Sequence, residues 1–195
     1  GGGGGGGGEI LKSVKLYDVD SKTWTDGADM IGLARYNHKM VFLPGAEGEK
    51  GTVMVVGGAD AGNNRLKSVV FYIVGAKEGK EWQEGPPMET GRAGHGIVFL
   101  PGVGAMGTVM VAGGHNGIKS LKSVELYDVD NKTWRYGRKM IRARFGHGMV
   151  FLPGVGDAGT VMVAGGNDGR SPLKSVELYD VASLVQAIKC GCQGV

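Results

Sequence analysis

Leu121-Lys-Ser-Val-Glu-Leu-Tyr-Asp-Val129 decides the fold, because the chain states nearly the same phrase four times. Leu-Lys-Ser-Val-x-x-Tyr begins at Leu11, Leu66, Leu121 and Leu173, in steps of 55, 55 and 52 residues. Other landmarks keep the same beat. Apolar runs end in a glycine pair at Gly57-Gly58, Gly113-Gly114 and Gly165-Gly166. Phe-Leu-Pro-Gly recurs around Pro44, Pro101 and Pro153. A tryptophan follows the tyrosine at Trp24, Trp82 and Trp134, and a methionine comes six residues later at Met30, Met88 and Met140. Self-similarity at such a period means one supersecondary unit per repeat.

Each unit carries four strand signals. Between residues 92 and 134 the first is His95-Gly-Ile-Val-Phe-Leu100, a continuous apolar run closed by Pro-Gly, which predicts a strand buried on both faces. The second is Thr108-Val-Met-Val-Ala112. The third, Ser123 to Val129, places Val124 and Leu126 on one face and Glu125 and Tyr127 on the other. The fourth is Lys132-Thr-Trp-Arg135. Apolarity falls from the first strand to the fourth, which predicts the first innermost and the fourth at the rim.

Four antiparallel strands graded from buried to exposed make a propeller blade. His-Gly-hydrophobic, hydrophobic-Gly-Gly, Ser-Val-Glu-Leu-Tyr-Asp and Trp, in that order, resemble kelch repeats across about residues 11–181. WD repeats fit less well, since no Trp-Asp dipeptide occurs, and the sialidase Asp box fails at Val129 and Asn131. The expectation is an all-β, kelch-type propeller segment of four-stranded antiparallel blades. It has about three blades plus a half-blade, with no ring closed within the chain. The divisions expected are a Gly-rich disordered tail at 1–10, repeats at 11–181 and a non-repeat tail at 182–195. Within the repeats, blade ends fall at 11–30 and blades at 31–82, 92–134 and 144–181. The ends read as those of a piece of a larger propeller, with ring closure by further copies as the sharper alternative.

Composition bounds the rest. The chain has 195 residues, 39 of them glycine, and a net charge of +3 that does not by itself imply nucleic acid. No secretory segment or long apolar run is visible, so no membrane partner is expected. Cys190 and Cys192 stand outside the repeats, which suits a reducing, cytoplasmic setting.

Arg35, Arg92 and Arg144 each precede a histidine by three residues: His38, His95 and His147. Repeated imidazoles invite a metal reading. One per blade, without a Cys, Asp or second His at ligand spacing, they read instead as Arg-x-x-His pairs that fix the inner strand by hydrogen bonds. The glycine pairs lead into strands rather than helices, so they read as bends and close blade contacts, not phosphate cradles. No metal, cofactor or catalytic residue is assigned. The tyrosines and tryptophans read as packing between blades. Resemblance to galactose-oxidase-type kelch propellers keeps one alternative, a carbohydrate-active or oxidase enzyme whose site lies in further blades.

What remains is a surface. The turns 59–65, 115–120 and 167–172 and the links 25–35, 83–92 and 135–144 should share one end of the blades. They vary while the strands hardly do, which is the pattern of a binding scaffold. The third link carries Arg135, Arg138, Lys139, Arg142 and Arg144 and no acid, whereas each of the other two sums to −1. The candidate partner-binding residues are Asn63, Asn64, Arg65, His115, Asn116 and Lys119, with Arg135, Arg138, Arg142, Asn167, Asp168 and Arg170. The expected partner is another protein, offering an acidic or phosphorylated segment to arginine forks. Nucleic acid is not expected, for want of interleaved aromatics. Self-association through open blade edges is. Resemblance to kelch proteins implies roles such as ubiquitin-ligase substrate adaptor, actin binder or scaffold.

Overall fold

A computed structural model describes residues 9–184. The Gly1–Gly8 run and the Cys190–Cys192 pair lie outside the described residues. Thirteen strands follow one another: β1 (Val14–Asp18), β2 (Thr23–Gly27), β3 (Lys39–Leu43), β4 (Thr52–Val56), β5 (Val69–Ile73), β6 (Trp82–Gly85), β7 (Gly96–Leu100), β8 (Thr108–Ala112), β9 (Val124–Asp128), β10 (Thr133–Gly137), β11 (Gly148–Leu152), β12 (Thr160–Ala164) and β13 (Val176–Asp180). They form a hairpin β1–β2, two four-stranded antiparallel sheets β3–β6 and β7–β10, and a three-stranded sheet β11–β13. We call the last three blades 1, 2 and 3. The repeat reading of the strands therefore holds.

The first strands stand side by side, with β7 packed between β3 and β11. That places them at the axis, as the fall in apolarity predicts. Two main-chain bonds tie them there: Gly94 N–H donates to Asn37 O at 2.9 Å, and Gly146 N–H to Gly94 O at 2.7 Å. The expectation of an inner strand buried on both faces needs correction. In β7 burial alternates, whereas every residue of β8 is buried. A second strand has a strand on each side and a blade on each face, whereas a first strand is a sheet edge turned to the axis.

Side chains alternate between neighbours. One face of blade 2 (Val98, Met110, Leu126) shares a core with Val161, Val163 and Tyr179 of blade 3. The other (Val109, Val111, Tyr127) packs on Met54, Val56 and Val69 of blade 1. The β1–β2 hairpin covers Val55 and Val70 of blade 1 through Val14. Trp82 and Trp134 donate their indole N–H groups to the preceding links, at Ala28 O (3.0 Å) and Pro86 O (2.8 Å).

The fourth strands run further than their tryptophan signal. β10 continues to Gly137, so Arg135 lies in a strand and not in a link. A repeated glycine three residues after each tryptophan ends these strands, and it leaves room for a third-strand side chain. A Cβ at Gly85 would stand 2.3 Å from the Phe71 ring, and one at Gly137 3.0 Å from Val124. After β13 the repeat pattern gives way to a helical turn at 181–184, whose Val181 and Leu184 enter the blade 2–blade 3 core. Among the described residues no helix is long and apolar enough to cross a membrane.

Candidate functional site

The turns after the second strands and the links between blades do meet at one end. Ala93 pairs with His115 and His115 with Ser120, and Phe145–Asn167–Pro172 and Tyr36–Ala59–Arg65 repeat the bridge. Neighbouring turns also touch. A Cβ on Gly117 would lie 3.7 Å from Arg65, and one on Gly169 3.0 Å from Ser120. The glycine pairs bring the links in: Gly58 N–H donates to Arg92 O (2.9 Å) and Gly114 N–H to Arg144 O (2.8 Å).

Beneath this surface lies a buried charged layer that the sequence reading missed. Arg92 and Glu125 form an ion pair at 2.5 Å with both side chains fully buried. Arg92 also donates to Gly113 O and Ser123 O, and Glu125 accepts the Glu89 and Thr90 amides. Arg144 repeats the arrangement with Gly165 O, Ser175 O and Glu177, and Glu177 accepts the Ile141 and Arg142 amides. Burial works against the charge of Glu177, but those amides and Arg144 hold its carboxyl below the usual range. Each link is thus stapled to the third strand of the blade that follows. In blade 1 the acid is replaced by Val70, and Arg35 holds only Gly57 O, Ser68 O, the Ser68 hydroxyl and Leu33 O. Its link is also one residue longer from methionine to arginine than the other two.

The histidines behave differently from the hydrogen-bonding role expected of them. The arginines fix the framework, but among the described residues neither ring nitrogen of His95 or His147 has a hydrogen-bond partner. The rings pack instead against the glycine pair of the preceding blade: a Cβ at Gly57 would stand 3.1 Å from His95, and one at Gly113 2.9 Å from His147. Burial, then the charge of Arg92, pushes His95 well below the usual histidine range. Burial and Arg144 push His147 down to about 4. The unfolded chain takes up protons near pH 6.5 while the folded chain does not. Stability should therefore be level above about pH 6.5 and fall toward pH 4, by about 1.4 kcal/mol per pH unit for each such histidine. Denaturant titrations at pH 7, 6 and 5 check this, and a flat profile would show that these rings are not held neutral.

The candidate binding residues sort by what their side chains already do. Asn116 accepts the Ile118 and Lys119 amides, Asn167 the Gly169 amide, and Asp168 the Arg170 and Ser171 amides. Asn64 bonds Asp60. Asn63, at φ +63°, accepts from the Tyr36 hydroxyl at 2.6 Å and from Arg65. His115 accepts the Gly117 amide and sets its ring edge-on to Phe145 at 5.7 Å. These polar groups build the turns.

The run of five cations does not stand together. Arg144 is buried on Glu177, Arg142 approaches Asp168 at 4.0 Å, and Arg135 is half-buried on the rim strand near Asp128. Arg138, Lys139, Lys119 and Arg170 reach solvent, beside the almost fully exposed Ile118 and Ile141. Sequence reasoning passed over Tyr36 and Phe145, both half-buried at this end. The signal was the position that differs in all three copies of one frame, Arg-Tyr-Asn-His, Arg-Ala-Gly-His and Arg-Phe-Gly-His, in which the third position is Asn37 once and glycine twice.

Comparison with known proteins gives two findings. The family model described as Kelch motif matches residues 107–141. Kelch-like protein 34 of Homo sapiens is 30% identical over 181 residues, which cover 89% of this chain and 25% of that protein. The chain thus spans about a quarter of the length of the relative it matches.

Proposed function

Because the chain is a kelch-repeat protein, we propose that it serves as a propeller scaffold that binds another protein at the end where turns and links meet. One observation carries the reading. The main chain of that end is held by a buried Arg–Glu layer and by turn-capping side chains, so a fixed platform displays residues that differ from blade to blade. The displayed chemistry is cationic and aliphatic, with Lys119, Arg142 and Arg170 around Ile118 and Ile141. The partner it suits is an acidic or phosphorylated segment bearing an apolar anchor. Asn63, Asn64, Asn116, Asn167 and Asp168 shape the platform in this reading, and Arg65, His115, Arg138 and Arg142 face the partner. Arg135 supports from the rim.

Labelled acidic and phosphorylated peptides carrying a leucine are suitable probes, with a lysine-rich peptide as control. Arg142→Glu with Arg170→Glu should weaken their binding at least tenfold and leave the melting midpoint within a degree or two, since exposed charges contribute little to stability. Affinity should also fall with added salt, which screens exposed charges over about 8 Å at physiological ionic strength. Binding indifferent to both changes would move the site away from this end of the blades.

A further inference from the structure

His115-Asn-Gly-Ile-Lys119 contains the one Asn-Gly step of the sequence, and it belongs to blade 2, which has a neighbour packed on each face. The turn after β8 gathers around that step the parts of an acyl-transfer site. Asn116 offers its carboxamide carbon as the electrophile. Its Oδ1 accepts the Ile118 amide at 3.0 Å and the Lys119 amide at 2.9 Å, so two donors already face the oxygen on which charge would develop. The Gly117 nitrogen is the next along the chain, with no side chain on its Cα to crowd an approach. Its N–H donates to His115 Nδ1 at 3.0 Å. That bond places the ring's own proton on Nε2 and leaves Nδ1 as the acceptor. Edge-on contact with Phe145 of the following link steadies the ring. Burial, then the charge of Arg65, keeps His115 below the usual histidine range, so the ring is neutral near neutral pH.

We propose that Asn116 is a site of self-catalysed deamidation, with His115 as the general base. The Gly117 nitrogen bonds to Asn116 Cγ as its proton passes to His115 Nδ1, and the Cγ–Oδ1 π pair moves onto Oδ1 between the two amides. The pair then returns, the Cγ–Nδ2 bond breaks, and Nδ2 takes the proton from His115 and leaves as ammonia. A five-membered succinimide remains. Water opens it at either carbonyl, which yields aspartate or isoaspartate.

Blade 3 holds the same turn with other residues in the key places. Asn167, Asp168 and Gly169 stand where blade 2 has His115, Asn116 and Gly117, and φ is +98° at Gly169 and +97° at Gly117. Asp168 Oδ1 accepts the Arg170 and Ser171 amides at 2.9 Å, as Asn116 does those of Ile118 and Lys119. The aspartate product therefore fits the turn as it stands. At the base position Asn167 accepts the Gly169 amide at 2.7 Å, but a carboxamide takes up no proton near neutral pH. Conversion of Asn116 adds a negative charge next to Lys119 and beside Arg65, so the loop end loses cationic character as the chain ages. That loss is independent of what the loop end binds.

The 195-residue chain is incubated folded near neutral pH at body temperature, and peptide mapping follows each asparagine. Asn116 should convert to aspartate and isoaspartate ahead of Asn63, Asn64 and Asn167. His115→Asn copies blade 3, so it should keep the melting midpoint and slow the conversion at least ~10-fold, a modest share of what a general base contributes. Residues 113–121 as a synthetic peptide lack the folded turn and should also convert more slowly than the chain. A rate indifferent to His115→Asn overturns the proposal, and so does a folded chain no faster than the peptide. An Asn116 that stays intact overturns it as well.

Discussion

Arg92→Met should cost about 3–5 kcal/mol of folding stability, because it strands Glu125 in a place with no access to water. The carbonyls of Gly113 and Ser123 lose their donor in the same step. Arg35→Met is the matched comparison. It removes the same side chain from blade 1, where Val70 stands in place of the acid, so only unpaired carbonyls remain and the loss should be about 1–3 kcal/mol. Adding Glu125→Leu to Arg92→Met should restore part of the loss, since no charge is then left alone. Denaturant unfolding of the three variants measures the differences. Equal losses for Arg92→Met and Arg35→Met would show that the stranded carboxylate is not the cause.

Gly113→Val should be the next most damaging change. Gly113 sits at φ +65°, where a side chain alone costs roughly 1–2 kcal/mol. A Cβ would also stand 2.5 Å from Arg144 O, an atom committed to the Gly114 amide. The backbone and the contact can be separated. Gly146 has a φ of +63° and nothing within 4 Å of its Cβ position, so Gly146→Ala reports the backbone cost by itself. The valine variant should lose about 1–3 kcal/mol more than the alanine one, as blade 2 and blade 3 are forced apart. Matching melting midpoints would mean that the glycine pair answers to conformation alone.

The blades were legible because apolar runs and Gly-Pro punctuation are local signals, and four near-copies let each confirm the others. The ends of the fourth strands were not. Thr133–Gly137 has one face half-exposed and little alternation, so its extent depends on pairing with Val124 and Leu126, which the segment itself does not encode. The buried ion pairs were hidden for a related reason. Arg92 and Glu125 are 33 residues apart, and each reads by itself as a surface residue. The readable trace was a joint change: the repeat that lacks the acid, at Val70, is also the one with the longer link.

The candidate site divides along similar lines. Its location followed from strand direction, but its chemistry did not. Asn116, Asn167 and Asp168 looked free to meet a partner, yet their oxygens close their own turns, as short polar side chains tend to do. The cations of the third link looked like one block until Glu177 arrived from a later strand and Asp168 from a later turn.

The bonds from Gly94 to Asn37 and from Gly146 to Gly94 join neighbouring blades entirely through main-chain atoms. Such bonds hold no record of side-chain identity. A newly duplicated unit would find these main-chain attachment points already compatible on both sides. Inheritance by copying is therefore cheap for this architecture, and four nearly unchanged phrases are what copying leaves behind. Divergence is then free to begin where the duplicated units do not grip one another, in the residues that face outward from the ends of the strands.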